Sequence, residues 1–150
     1  MNLVEPLRRV VVEADVDAVM VAGRYTLIDR SASALLADCF ARNVSVVAAA
    51  PFNSGLLARR WPSASAWYDY QPVTGSVLER ARAYATVCID HDAELPQVAL
   101  QFPLRHPAVA TVVVGMGSAQ HVDATVSRAL EPVSAQLWSA IDEDLDGRAD

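Results

Sequence analysis

A chain of 150 residues, 53% of them hydrophobic and with a mean hydropathy of +0.21, carries enough apolar side chains for one buried core and too many for a disordered chain. Its 18 acidic residues outnumber its 12 basic ones, and the net charge of -6 argues against the clustered basic face that nucleic-acid binding needs. All the basic residues are arginine, so the chain has no Schiff-base lysine, no lysine-tuned acid and no phosphate-loop lysine.

The opening stretch, MNLVEPLRRVVVEADVD, breaks its apolar residues with Glu5, Arg8, Arg9 and Glu13, so no signal-peptide core is expected there. Leu3 to Glu13 reads as a helix with Leu3, Leu7, Val10 and Val11 on one side and Pro6 in its first turn. Asp17 to Ala22 reads as a buried strand. Ser31 to Asn43 has helical spacing in Leu35, Leu36, Cys39 and Phe40, with serines placed to cap its start. Val44 to Ala50 is a second buried strand. Pro51 to Thr74 lacks periodicity and reads as a long surface excursion, the kind of segment that carries function. Gly75 to His91 and Pro96 to Leu104 read as helices, Ala110 to Val114 as a third strand, and Ser118 to Leu130 and Pro132 to Leu145 as two closing helices.

Strands apolar throughout and separated by helices predict an α/β protein with a parallel sheet covered on both faces. Three strands are few for such a sheet, which implies that part of it lies elsewhere. No apolar run approaches the roughly 20 residues of a membrane span, so no membrane association is expected. Cys39 and Cys88 are isolated, and His91 and His106 lack partners at ligand spacing. Reduced thiols, no metal and a cytoplasmic location are therefore expected.

Two turns are candidate ligand loops. In VSVVAAAPFNSGLLA a buried strand ends on Asn53, Ser54 and Gly55, and in α/β proteins ligands sit at the carboxyl ends of strands. A solvated turn closing a strand fits the same residues. In VVVGMGSAQHVDA, Gly115 and Gly117 allow close backbone approach, and Ser118 opens a helix whose N-terminus favours an anion, although any strand-to-helix turn uses glycines. Asp29 and Arg30 are candidates for a local ion pair or a helix-entry charge, the plain surface role fitting them best. Trp61, Trp67, Tyr68 and Tyr70 suit either a sugar ring or the pinning of their own loop.

Taken in order, AGRYTLID, VVAAAPFNSGLLA, LPQVALQFPLRHPAVATVVVGMGS and HVDATVSRALEPV resemble the C-terminal half of the aldo-keto reductases, over nearly the whole chain. The resemblance is to the branch that oxidises free sugars such as L-fucose and D-threo-aldoses, and pyridoxal. It implies strands six to eight of a (β/α)8 barrel, with residues 1–150 forming a partial barrel domain. It also implies that the Asp, Tyr, Lys and His of the catalytic quartet belong to the other half, so no catalytic residue is assigned here. The cofactor implied is NAD or NADP, held through Pro51, Asn53, Ser54, Gly55, Leu57, Gly115, Met116, Gly117, Ser118, His121 and Thr125. Many relatives hold the 2′-phosphate of NADP with basic residues in the last of these segments. Here no arginine precedes Arg128, which favours NAD. Many relatives carry a stacking tyrosine where this chain has Ala49, and a glutamine where it has Ala22; Phe52 and Tyr25 are neighbouring aromatics. The implied function is a dehydrogenase of a sugar, with this chain as the cofactor-binding half that turns over sugar only when the missing half is supplied. The alternative is a non-catalytic half-barrel or one part of a split enzyme. Self-association, or pairing with an N-terminal half, is expected of the exposed sheet edges and of the apolar faces that the missing strands would cover.

Overall fold

A run of Val and Ala with no glycine or proline inside it forms strands at three places, and all three pair in one direction. The computed structural model describes residues 3–146. In chain order it contains α1 (Val4–Glu13), β1 (Ala18–Ala22), α2 (Ser33–Ala41), β2 (Ser45–Ala49), β3 (Trp67–Tyr68), β4 (Gln71–Pro72), α3 (Gly75–Asp90) and α4 (Leu95–Gln101). A 3-10 turn over Phe102–Arg105, β5 (Val109–Val113), α5 (Ala119–Leu130) and α6 (Ala135–Asp146) follow. The main sheet has the order β1-β2-β5 and is parallel throughout. Each crossover therefore carries a helix, as parallel connections demand.

Alternation divides the sheet into two faces. Val19, Val21, Val46 and Ala48 point into a core with Leu35, Leu36 and Cys39 of α2 and Leu7 and Val11 of α1. Between Val46 and Val47 the pairing with β5 slips, so that Val46 faces Val109 while Val47 faces Thr111. The slip leaves Ala110 as an extra residue, a bulge that keeps Val109 on the buried face and Thr111 and Val113 on the other. That other face is not covered by helices. Met20 is 47% exposed and Val113 45% exposed. The expectation of a sheet covered on both faces is thus not met at Met20 and Val113, while α1 and α2 cover the face of Val19, Val21, Val46 and Ala48. The apolar runs that suggested two covered faces have a second face that is half-exposed at Met20 and Val113.

A second core cluster joins α3, α4 and α6 through Ala81, Tyr84, Cys88, Val98, Leu137 and Ile141, and also takes in Leu27, Ile28, Leu56 and Leu57 from the loops after β1 and β2. Cys39 and Cys88 are free and buried, and burial pushes the Cys88 thiol up to about 12. α5 differs from the other helices in burying no residue. Its Val122, Val126 and Leu130 are 41%, 51% and 78% exposed.

Several local expectations shift. α2 begins at Ser33 after Ala32, with no side-chain cap; Ser33 Oγ instead donates to the Arg30 carbonyl at 2.7 Å. The Pro96 segment is a short α-helix continued by a 3-10 turn, because Pro103 cannot donate to an α-helical bond. The Pro51 to Thr74 excursion holds a small antiparallel hairpin, β3 with β4. No helix among the described residues is long and apolar enough to cross a membrane.

Candidate functional site

Because β1, β2 and β5 run parallel, their carboxyl ends and the loops that follow share one side of the molecule. Backbone bonds carry the ladder past the strand ends: Gly23 N–H donates to the Ala49 carbonyl at 2.9 Å and Ala50 N–H to the Val113 carbonyl at 3.2 Å. The Asn53 side chain then ties two of these loops together, its Nδ2 donating to the Gly23 carbonyl at 3.2 Å.

The loop after β2 is tightly wound. Ala50, Asn53, Ser54 and Gly55 all have positive φ, at 55°, 44°, 57° and 89°, and Leu57 N–H returns to the Phe52 carbonyl at 3.1 Å. Left-handed backbone is costly for Ala and Ser and tolerable for Asn and Gly, so within this stretch Ala50 and Ser54 store strain. Leu56 and Leu57 anchor the loop in the second core, both fully buried.

Between this loop, the segment after β5 and α5 lies a cleft of about 360 Å³. Its walls include Pro51, Asn53, Ser54, Gly55, Gly115, Met116, His121 and Thr125, which the sequence had singled out, together with Phe52 and Arg128. Leu57 sits instead in the core beneath. Gly117 and Ser118 stand at the start of α5, where Ser118 Oγ accepts from the His121 N–H at 3.2 Å and caps the helix. No atom lies within 4 Å of where a Cβ on Gly115 would be, so backbone is open to a ligand there. A neighbouring cavity of about 610 Å³ shares Ser54, Gly55, Ala58 and His121 with the cleft and adds Arg59, Ser63 and Ser65. Both fall in the size range of small-molecule sites.

The charges around the cleft are mostly paired. Arg128 Nε and Nη2 donate to Glu94 Oε2 at 3.1 and 3.0 Å. On the β1 side, Arg24 donates from Nη2 to both carboxylate oxygens of Asp69 at 2.9 Å and from Nη1 to Asp29 at 3.2 Å. These bonds, led by that to Asp69, raise the Arg24 pKa. Burial alone would raise Asp29, but bonds from Ser31 and Arg24 outweigh it and hold the carboxyl below its ordinary value. Asp29 therefore pairs with Arg24 and not with Arg30. Arg30 lies over the Phe102 ring at 4.2 Å, its Nε and Nη2 without hydrogen-bond partners, and burial lowers its pKa. Tyr25 packs on Phe102 and His106 with ring centroids 5.6 Å apart in each case, so it is a packing residue. His106 Nδ1 accepts from the Ala108 N–H at 3.1 Å. No group of three metal-ligating side chains occurs among the described residues.

The family model for the aldo/keto reductase family matches residues 2–146. The chain belongs to the aldo/keto reductase family. It is 38% identical over 140 residues to the D-threo-aldose 1-dehydrogenase of a Pseudomonas species, a match covering 93% of this chain and 43% of that protein. It is 29% identical over 136 residues to the pyridoxal 4-dehydrogenase of Microbacterium luteolum, covering 90% of this chain and 40% of that protein. Among solved structures, the holo form of the aldo-keto reductase AKR11C1 from Bacillus halodurans superposes with a TM-score of 0.72 at 24% identity, over 93% of this chain and 46% of that one. This aldo/keto reductase chain thus spans less than half the length of the relatives it matches.

Proposed function

We propose that this chain is the dinucleotide-binding part of a nicotinamide-dependent sugar dehydrogenase. The observation that carries the reading is the cleft between Asn53–Gly55 and Gly115–Met116, which brings together two turns 60 residues apart in sequence at the carboxyl ends of neighbouring parallel strands. A strained loop and an open glycine backbone beside a capped helix start form a cradle suited to a phosphate-linked ligand. The residues present fit such a group: the Ser54 hydroxyl, the Gly115 backbone and the His121 side chain would hold it, with Asn53 and Gly55 shaping the loop and Met116 and Thr125 along the wall. When bound, the dinucleotide supplies the acceptor for hydride from the sugar. NAD is the favoured form, since the arginine lining the cleft is engaged by Glu94.

The three strands are read as six to eight of a (β/α)8 barrel, whose remaining units, in the same polypeptide or another, supply the rest of the site. The exposure of Val113 and the helix α5 that buries no residue support this second element of the proposal. A barrel of this kind needs eight strands, so two copies of a three-stranded sheet do not close one. The test is an assay of reduced-cofactor absorbance with aldoses. Residues 1–150 alone are expected to show no turnover, and addition of a polypeptide carrying the first five β/α units of a relative restores it. Turnover by residues 1–150 alone, at rates resembling an intact dehydrogenase, overturns the reading.

A further inference from the structure

The hairpin in the loop after β2 is placed by charge. Its turn residues Asp69 and Tyr70 have φ of 50° and 65°, a conformation that glycine or asparagine ordinarily supplies. The strained turn is held from outside: Arg24 grips the Asp69 carboxylate with two bonds of 2.9 Å, and the hydroxyl of Tyr68 donates to Asp29 at 3.2 Å. Both contacts lead back to the loop at the end of β1. The result is that Tyr70, 79% exposed, stands at the strand ends beside Ala22, Gly23, Ala50, Asn53 and Ser54. The ring is held at the strand ends by a strained turn and by one guanidinium nitrogen, Nη2 of Arg24, shared between both carboxylate oxygens of Asp69.

Beneath it is a crevice of about 40 Å³, room for a hydroxyl or an amide group but not for a ring. Asn53, one of its walls, is 6% exposed, and its Oδ1 has no hydrogen-bond partner while its Nδ2 is committed to Gly23. A buried carbonyl oxygen left unpaired favours a ligand that brings a donor, and disfavours a fully ionised phosphate, which brings only acceptors.

We propose that Tyr70 is a specificity-determining residue, stacking on the apolar face of a sugar ring while one ring hydroxyl enters the crevice at Asn53, with Arg24 and Asp69 as positioning residues. Stacking on an aromatic face plus one directed hydroxyl distinguishes a cyclic aldose from an acyclic polyol of similar hydroxyl count. The inference rests on the sugar-dehydrogenase reading above and places its substrate on the β1 side of Asn53, away from the larger cleft.

The test is a set of proton–nitrogen correlation spectra of the whole chain with L-fucose, with sorbitol and, separately, with NAD. L-Fucose is expected to shift the signals of Gly23, Tyr70 and the Asn53 side chain, and sorbitol to leave them in place. Tyr70→Ala is expected to weaken L-fucose about tenfold, and Tyr70→Phe to stay within about twofold. Asp69→Ala is expected to weaken it comparably, although Tyr70 is still present. NAD binding stays unchanged in all three variants. L-Fucose binding that ignores Tyr70→Ala, sorbitol binding equal to L-fucose, Tyr70 shifts caused by NAD alone, or no response to L-fucose overturns the inference. Loss of NAD binding in the unaltered chain counts against the dinucleotide reading instead.

Discussion

Arg128 lines the cleft yet points both Nε and Nη2 at a single oxygen, Oε2 of Glu94, which belongs to the residue preceding α4. A guanidinium so engaged is a poor partner for a phosphate, because the carboxylate must first be displaced. Replacement of that carboxylate by an amide is therefore expected to change cofactor choice. Glu94→Gln should improve NADP affinity about fivefold and leave NAD nearly unchanged, as read by calorimetry with both cofactors. An unchanged NADP to NAD ratio would mean that Arg128 does not reach the extra phosphate, and would direct attention to Arg59 in the adjoining cavity.

The uncovered sheet face gives a prediction with two opposite signs. Val113→Asp alters a side chain that is 45% exposed, so the isolated chain should lose no more than about 0.5 kcal/mol of stability. Its tendency to associate should fall, seen as a later and sharper elution in size-exclusion chromatography. The same variant should fail to restore turnover with a complementary polypeptide, since closure buries an unpaired carboxylate. Restoration equal to that of the unaltered chain would show that this face remains in solvent in the working enzyme.

Acid should release the hairpin. Asp29 has its carboxyl lowered relative to the unfolded chain, so the stability it contributes is complete above about pH 4 and is lost as pH falls through its lower folded value. Trp67, on the hairpin and 54% exposed, is the natural reporter of that step. Its fluorescence is expected to change below about pH 4 before the main unfolding, and Asp29→Asn should remove the early step. A transition that persists in Asp29→Asn belongs to another carboxylate, such as Asp142 beside Arg105, whose pKa is lowered in the same direction.

The main sheet was legible because Val19, Val21, Val46 and Ala48 sit in runs with no polar interruption, and such runs have few alternatives to a buried parallel strand. Hydropathy alone did not reveal the open face, because Met20 and Val113 look as apolar as their buried neighbours; only the resemblance to a half-barrel implied exposed apolar faces. Asn53, Ser54, Gly55 and Gly115 were singled out as turn residues after a strand, but their chemistry alone fits an ordinary turn, and it was the family resemblance that made the two loops, which line one cleft, candidates for a ligand. The hairpin was missed because each strand has two residues, too few to alternate, and because Asp69-Tyr70 lacks the glycine that announces such a turn. Arg24 was missed as its organiser because its partner Asp69 lies 45 positions away. Only the spacing of charged residues across two loops would have hinted at it.

The central claim is that the Asn53–Gly55 loop and the Gly115–His121 segment hold one dinucleotide between them. Mapping NAD onto the assigned spectrum of the chain tests this most directly. The account predicts saturable binding in the high micromolar to millimolar range, roughly 4 to 5 kcal/mol, because contacts from the rest of the barrel are absent. It predicts shifts concentrated on Ser54, Gly55, Gly115, Gly117 and His121, with Gly55→Ala weakening binding through its φ of 89°. Shifts confined to only one of the two segments, or NAD binding that leaves both untouched, would contradict it.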